Sequence, residues 1–524
     1  MSTNNSQTEF PSLDDKLMSS ECSSISSTMS DTSSNEETSS VSSIQGSDYW
    51  KELELAGFDL EYSPTILFKP FADFVIEVDN VTDKPLSYGE IEESRVGILY
   101  DLIRHCSTLY KEQELFRSDL HDSFQDLLGS RMHVGEEHQE RHISIERKGH
   151  DQSDHEHSWR AVIAAIEVKA TSGTGEASFQ SALKWCNSVK TSISGLVCSH
   201  PCLVVSIRGS VMTIHAAMVV GVQNSKLAVS EVPDDHCFLF EKLITIDLMT
   251  EGTSCRNVHL NLRILNSFLE FTQKICDHYD KPLETSNQCC PWFTSFTCPV
   301  SKQIKRLKYV RHLKKNVFLA EMSDNSSEEV KAVVVKFYQT YSEHVHQLLL
   351  SKNLAPTLYY VGYQKCWIVV VEEYLATPWQ QVSELEHCDG SRDWLLTSAR
   401  SILVVLKSNQ MVHGDFRPTN WFVNVGAKTL KIIDFEMSGV DGVDIYPGFL
   451  NQNISWHPSV AAGRPLRCEH DEHNLQLFSK GLQTHQSPTK VLVRNYEEPP
   501  SDSFTKHDRQ RKQGGSAPKK RTRS

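Results

Sequence analysis

The chain has 524 residues and a formal net charge of −14, from 53 basic and 67 acidic side chains. That length suits about two to four domains. An acidic chain is not a bulk nucleic-acid coating protein, although a local basic patch can still bind DNA or RNA. No apolar run reaches the 18 or so residues of a membrane span; the longest, 202–222, is broken by Arg208 and His215.

Residues 1–48 are about one-third serine, carry eight acids against Lys16 alone, and predict a disordered acidic head. They lack the apolar core of a signal peptide, so a soluble intracellular chain is expected. The 14 cysteines are irregularly spaced, and neither Cys198/Cys202 nor Cys289/Cys290 has a second pair at zinc-site spacing, which predicts free thiols. Order is expected from Tyr49. Ile91, Val96, Leu99, Ile103 and Leu109 predict a helix over 87–113, and the polar, His-rich stretch 135–157 predicts a loop. AVIAAIEVK at 161–169 reads as a buried strand and 176–190 as the helix behind it. Strands follow at 203–207, 212–220 and 226–232, and a helix at 257–279 closes the domain. This order predicts an α/β domain over 49–280.

A second domain is expected over 300–482. Apolar runs at 317–322 and 332–337 read as strands around a polar hairpin, followed by a helix at 341–351, strands at 357–360 and 367–373, and a helix at 391–409. Beyond 482 the chain is polar. Residues 505–524 carry eight bases against Asp508, a basic tail predicted to be disordered, and RQRK with KKRTRS reads as a nuclear localisation signal.

The chemistry concentrates in His413-Gly414-Asp415-Phe416-Arg417-Pro418-Thr419-Asn420, followed by Asp434-Phe435-Glu436. Phosphoryl transfer needs a carboxylate to orient or deprotonate the acceptor hydroxyl, and oxygen ligands to hold Mg²⁺ against the phosphates. Asp415 supplies the first; Asn420 and Asp434 supply the second. The two short apolar runs between them, WFVNV and KIID, have the length of strands that present one face of a cleft.

This constellation resembles the catalytic loop of protein kinases, and equally that of aminoglycoside and choline phosphotransferases. The resemblance implies an α+β two-lobed kinase-like domain that uses ATP and Mg²⁺. It implies that Lys336, on a strand, meets the α/β-phosphates and is a catalytic residue with Asp415. Glu343 is a possible partner for Lys336, with Glu328 and Glu329 also nearby. Glu372, Glu373 and Tyr374 would form the hinge that holds adenine. Three departures stand out. Residues 311–335 contain no glycine, so there is no glycine-rich loop; Gly414 replaces an arginine; and Glu436 replaces a glycine. These departures leave a non-catalytic pseudokinase effector or scaffold, and a small-molecule phosphotransferase, as alternatives to a serine/threonine protein kinase. Asp471, opening a helix, is expected to anchor the catalytic loop.

Residues 300–480 are further similar to the kinase domains of Crinkler-type and fungal-type kinase proteins, through VVKF at 334–337, His346–Leu349, Leu354–Leu358, and Trp456-His457-Pro458. Such kinases often follow a restriction-endonuclease-like domain with a D…E-x-K signature. That resemblance implies a nuclease-like α/β fold for 49–280, with Glu167 and Lys169 on one face of a strand, Gln180 as a further member, and DNA as a partner. No clear upstream acid precedes them; Glu146, Asp151 and Asp154 lie in polar sequence.

Overall fold

A computed structural model describes residues 58–59, 63–81, 86–87, 89–108, 113–128, 133–136, 143–150, 158–169, 177–192, 200–221, 236–249, 255–279, 290–324, 330–385, 392–448 and 450–481. The predicted head and basic tail lie outside these residues, as do the strand expected at 226–232 and Glu328 and Glu329. The described residues belong to one compact unit and are organised around two large sheets.

The first sheet contains β1 (Phe58–Asp59), β2 (His133–Glu136), β3 (Ile143–His150), β4 (Ser158–Lys169), β5 (His200–Arg208), β6 (Val211–Gly221) and β7 (His236–Asp247), in the order β1-β7-β6-β5-β4-β3-β2. Its helices are α1 (Pro64–Leu67), α2 (Lys69–Asp79), α3 (Glu93–Ser107), α4 (Gln113–Leu128), α5 (Ala177–Ser192) and α6 (Cys255–Tyr279). β4 and β5 run parallel, and α5 is the crossover that such a pair requires. One face packs Ile166 and Val168 against Phe71, Leu99, Phe116 and Phe268 of α2, α3, α4 and α6. The other packs Ala165 against Ala182, Trp185 and Cys186 of α5. Cover on both faces explains why β4 is an almost unbroken apolar run.

Two expectations need correction here. The stretch 135–157 is not all loop, because β3 pairs with β4 from Ile143↔Ile166 to His150↔Ser158. Ladder hydrogen bonds decide the conformation where side-chain pattern is uninformative. The helix expected over 87–113 ends at Ser107, and α4 was not anticipated, although Phe116, Leu120, Phe124 and Leu128 form its buried stripe.

The second sheet is antiparallel. It contains β8 (Ser295–Thr297), β9 (Ile304–Lys314), β10 (Val317–Asp324), β11 (Lys331–Tyr338), β12 (Leu358–Gln364) and β13 (Trp367–Glu373), ordered β12-β13-β11-β10-β9-β8, with α7 (Glu343–Leu350) between β11 and β12. A connector from Tyr374 leads to β14 (Trp379–Gln381), α8 (Arg392–Ser408), β15 (Met411–Val412), β16 (Trp421–Asn424), β17 (Thr429–Ile432), β18 (Gly439–Val440) and α9 (Cys468–Ser479). Leu395, Ile402, Phe416, Trp421, Phe435 and Phe478 form the core of this lobe. The basic β9 was not anticipated; only Leu307 and Tyr309 of it are buried.

The short helix α1 joins the two sheets. Thr65 Oγ1 accepts a hydrogen bond from Trp367 Nε1 (3.0 Å), and Thr65 O accepts one from Trp292 Nε1 (2.7 Å). Ile66 is buried in one cluster with Phe337 and Val369 of the second sheet. Among the described residues, no helix is long and apolar enough to cross a membrane.

Candidate phosphate-transfer site

Side chains alternate along β11: Val333, Val335 and Phe337 enter the sheet's core, while Val334, Lys336 and Tyr338 face the cleft. Lys336 lies opposite Val370, so Glu372, two residues along β13, is its diagonal neighbour on the same face. Lys336 Nζ stands 2.7 Å from Glu372 Oε1, and both groups are buried. Glu343 is therefore not the partner of Lys336. It is exposed in the first turn of α7, and the helix presents the buried His346 inward instead. His346 Nδ1 lies 4.0 Å from Glu372 Oε2, and its ring stacks on Phe435 at 4.4 Å. Among the described residues, Glu372 Oε2 has no hydrogen-bond partner.

The loop 413–420 is held from below. The carboxylate of Asp471, buried in α9, accepts from the backbone N–H groups of His413 (2.7 Å) and Gly414 (3.0 Å). Burial, the largest influence, pushes the Asp471 carboxyl up to about 7 despite these bonds. Gly414 has φ +82°, and a Cβ there would collide with the Met437 carbonyl oxygen. This is the physical reason a glycine stands where kinases carry arginine.

Above this anchor, Asp415 is gripped by its own loop. Arg417 donates through Nε to Oδ1 and through Nη2 to Oδ2 (2.8 Å), and Asn420 Nδ2 donates to Oδ2 (2.8 Å). The Arg417 guanidinium lies over the Trp456 ring at 5.9 Å. The sequence reading did not give Arg417 a role; its position two residues after Asp415 was the available signal.

Asp434 adopts φ +72°, a left-handed backbone that is uncommon for a non-glycine residue. Its Oδ1 accepts a hydrogen bond from Tyr338 Oη (2.9 Å). Burial would raise its carboxyl, but Lys336 and Lys314, with the Tyr338 hydroxyl, hold it below the usual range. Glu436 moves the other way: burial first, and then the charge of Asp434, push it up to about 7, with Asp415 adding to the effect. Asp415, Asp434 and Glu436 thus share one field. The excess negative charge that raises Glu436 is the kind a divalent cation relieves.

At the end of β13, Glu373 accepts from Thr357 N and from Lys431 Nζ, each at 3.0 Å, and ties β13 to β17. Tyr374 is half-buried, and its N–H bonds to Ala332 O at 3.3 Å. The side chain of Glu372 serves Lys336, so any contact with a base is left to the connector backbone. A strand-borne lysine, a connector, and a helical lobe carrying the Asp415 loop and Asp434 follow one another in kinase-like order.

In the first sheet, Glu167 and Lys169 are buried on the α5 side of β4, and Gln180 of α5 is half-buried. Ser206, opposite Glu167 on β5, meets Ser178 of α5 at 2.7 Å. β4 is an inner strand, not an edge. Glu146 pairs with Val162, five residues from Glu167 and so roughly 16 Å along the strand. Asp151 and Asp154 lie outside the described residues.

No protein-family model matches the chain, and no curated protein matches it. Among solved structures, it is similar to the Cydia pomonella granulovirus kinase PK-1, at 12% identity over 37% of this chain and 75% of that one, with a TM-score of 0.28. It is also similar to vaccinia related kinase 3, at 16% identity over 36% of this chain and 68% of that one, with a TM-score of 0.26.

Proposed function

We propose that the chain is a Mg²⁺- and ATP-dependent phosphotransferase whose acceptor is a serine or threonine hydroxyl of a protein. What supports this reading is that Asp415 and Asn420 are held together on a loop fixed by Asp471, while Lys336 acts on the Asp434 carboxylate and Glu436 feels the charge of both Asp434 and Asp415. Asp415 orients the acceptor hydroxyl and takes its proton, which requires the acceptor to displace part of the Arg417 grip. Asn420 and Asp434 hold the metal, and Lys336 meets the α/β-phosphates. Bound Mg²⁺ neutralises charge on the phosphate oxygens. The connector backbone after Glu373 receives adenine. A panel of protein mixtures, aminoglycosides and choline, followed by phosphoamino-acid analysis, tests the acceptor. Phosphoserine or phosphothreonine is expected; turnover of only the small molecules would overturn the protein acceptor.

A second reading concerns the first sheet. The succession α4-β2-β3-β4-α5-β5, with buried Glu167 and Lys169 beneath α5, favours a nuclease-like module that binds DNA. Metal-dependent DNA cleavage that survives Glu167→Ala would sink a catalytic role for it.

A further inference from the structure

Between β18 and α9 the chain folds back on the first turn of α9 and brings three side chains together. One donor atom each from His457, Glu469 and His470 lies within 4.8 Å of the others. His470 is buried, His457 half-buried and Glu469 exposed. The Ser459 hydroxyl bridges the two rings, 2.8 Å from His457 Nδ1 and 2.9 Å from His470 Nε2. A single hydroxyl thus stands between two imidazole nitrogens, with a carboxylate alongside.

Two imidazoles and a carboxylate are ligands for a borderline divalent metal such as Zn²⁺, whereas Mg²⁺ prefers oxygen alone. Bonds of about 2.1 Å in a tetrahedral array put ligand atoms roughly 3.4 Å apart, so the three side chains need close by only about an ångström or so. Among the described residues the Glu469 carboxylate is in no ion pair, which leaves it free to swing in. His470 also has the outer support that a ligating histidine needs. With a metal on Nε2 its proton sits on Nδ1, where Tyr446 Oη at 3.0 Å accepts it. Tyr446 in turn donates to Gly414 O at 3.3 Å, in the Asp415 loop. What is given up is the bond from Arg467 N–H to Nδ1 (3.2 Å), together with the Ser459 bridge.

We propose that His457, Glu469 and His470 bind one Zn²⁺, with water as the fourth ligand, and that the ion staples the segment around Trp456 to α9. Both sides of the staple bear on Asp415. α9 carries Asp471, which anchors the loop, and Trp456 lies over the Arg417 guanidinium that grips Asp415. The zinc site is separate from the Mg²⁺ site proposed above, and it stands whether or not the cleft transfers phosphate.

The test is titration of the full chain, first stripped of metal by a chelator, with Zn²⁺ against a chromophoric zinc indicator. Circular dichroism checks the fold of each protein. Loss of a ligand's supporting partner already costs about 10–100-fold in metal affinity, so His457→Ala and Glu469→Gln should each bind Zn²⁺ at least about tenfold more weakly than wild type. Glu469→Gln changes an exposed position and keeps the fold, so it decides the matter if His457→Ala does not fold. A large excess of Mg²⁺ should leave the zinc bound. Zn²⁺ should also slow amide hydrogen exchange over 454–473 in wild type and not in Glu469→Gln. Wild type that binds no Zn²⁺, or whose zinc Mg²⁺ displaces, would overturn the inference. So would equal affinity in wild type and Glu469→Gln, which would put the ion on others of the chain's 23 histidines. In each case the phosphotransferase reading would be untouched.

Discussion

The buried Lys336–Glu372 pair makes a sharp prediction, because it sits where sequence reasoning offered Glu343. Glu372→Gln keeps an acceptor near Lys336 but removes the paired counter-charge, leaving the buried ammonium only the more distant Asp434 carboxylate. With Lys336 at 4% and Glu372 at 2% exposure, breaking the pair should cost about 3 kcal/mol, the lower end of the range for a buried pair losing one partner. At a urea slope of about 2 kcal/mol/M, that moves the midpoint down by roughly 1.5 M. Tryptophan fluorescence reads the transition directly, since Trp367 and Trp292 pack in the same sheet. Glu343→Gln, at an exposed position, should shift stability by less than about 0.5 kcal/mol. The Lys336→Met/Glu372→Leu protein should recover most of the loss, since apolar replacement of a buried pair is often neutral. A negligible effect of Glu372→Gln, or a larger one from Glu343→Gln, would refute the pairing.

Three further outcomes are expected. Gly414→Arg, which would write the kinase H-R-D sequence, should lower stability by at least about 1 kcal/mol and fail to raise activity, because φ +82° and the Met437 carbonyl leave no room for a Cβ; a gain in turnover would contradict this. His215, buried against the Phe240 ring, titrates near 4 because burial disfavours its charged form. Its folded value lies below the unfolded one, so its contribution is complete above about pH 6.5 and is lost as pH falls toward 4, by at most about 3 kcal/mol. Urea midpoints of His215→Leu should accordingly be flatter over that window. Thr65→Val should cost about 1–2 kcal/mol through the lost Trp367 hydrogen bond, read as an earlier fluorescence transition of the second sheet.

Much of the site was legible from residue type and spacing. The Asp415 loop, Asp434 after two short strands, and Lys336 on a strand are local patterns, and the anchoring role expected of Asp471 matches its two backbone hydrogen bonds. The partner of Lys336 was not legible, because it depends on the register of β11 with β13, which spacing does not reveal. The Arg417 grip on Asp415 needed the loop's conformation. β2 and β3 hid in polar sequence because ladder pairing, β3 with β4 and β2 with β3, holds them, whereas α4 was missed although its four-residue stripe was present. In β4, the apolar run was readable, but only the order of strands shows that Glu167 and Lys169 are inside.

The most direct test of the central claim is transfer of label from γ-labelled ATP to a protein mixture and to the chain itself, with Mg²⁺, for wild type beside Asp415→Ala and Asp434→Ala. Transfer by wild type that is lost in both variants, with circular dichroism unchanged, is the predicted result. Transfer that persists in either variant, or a wild type that transfers nothing while binding Mg-ATP, would contradict the phosphotransferase assignment.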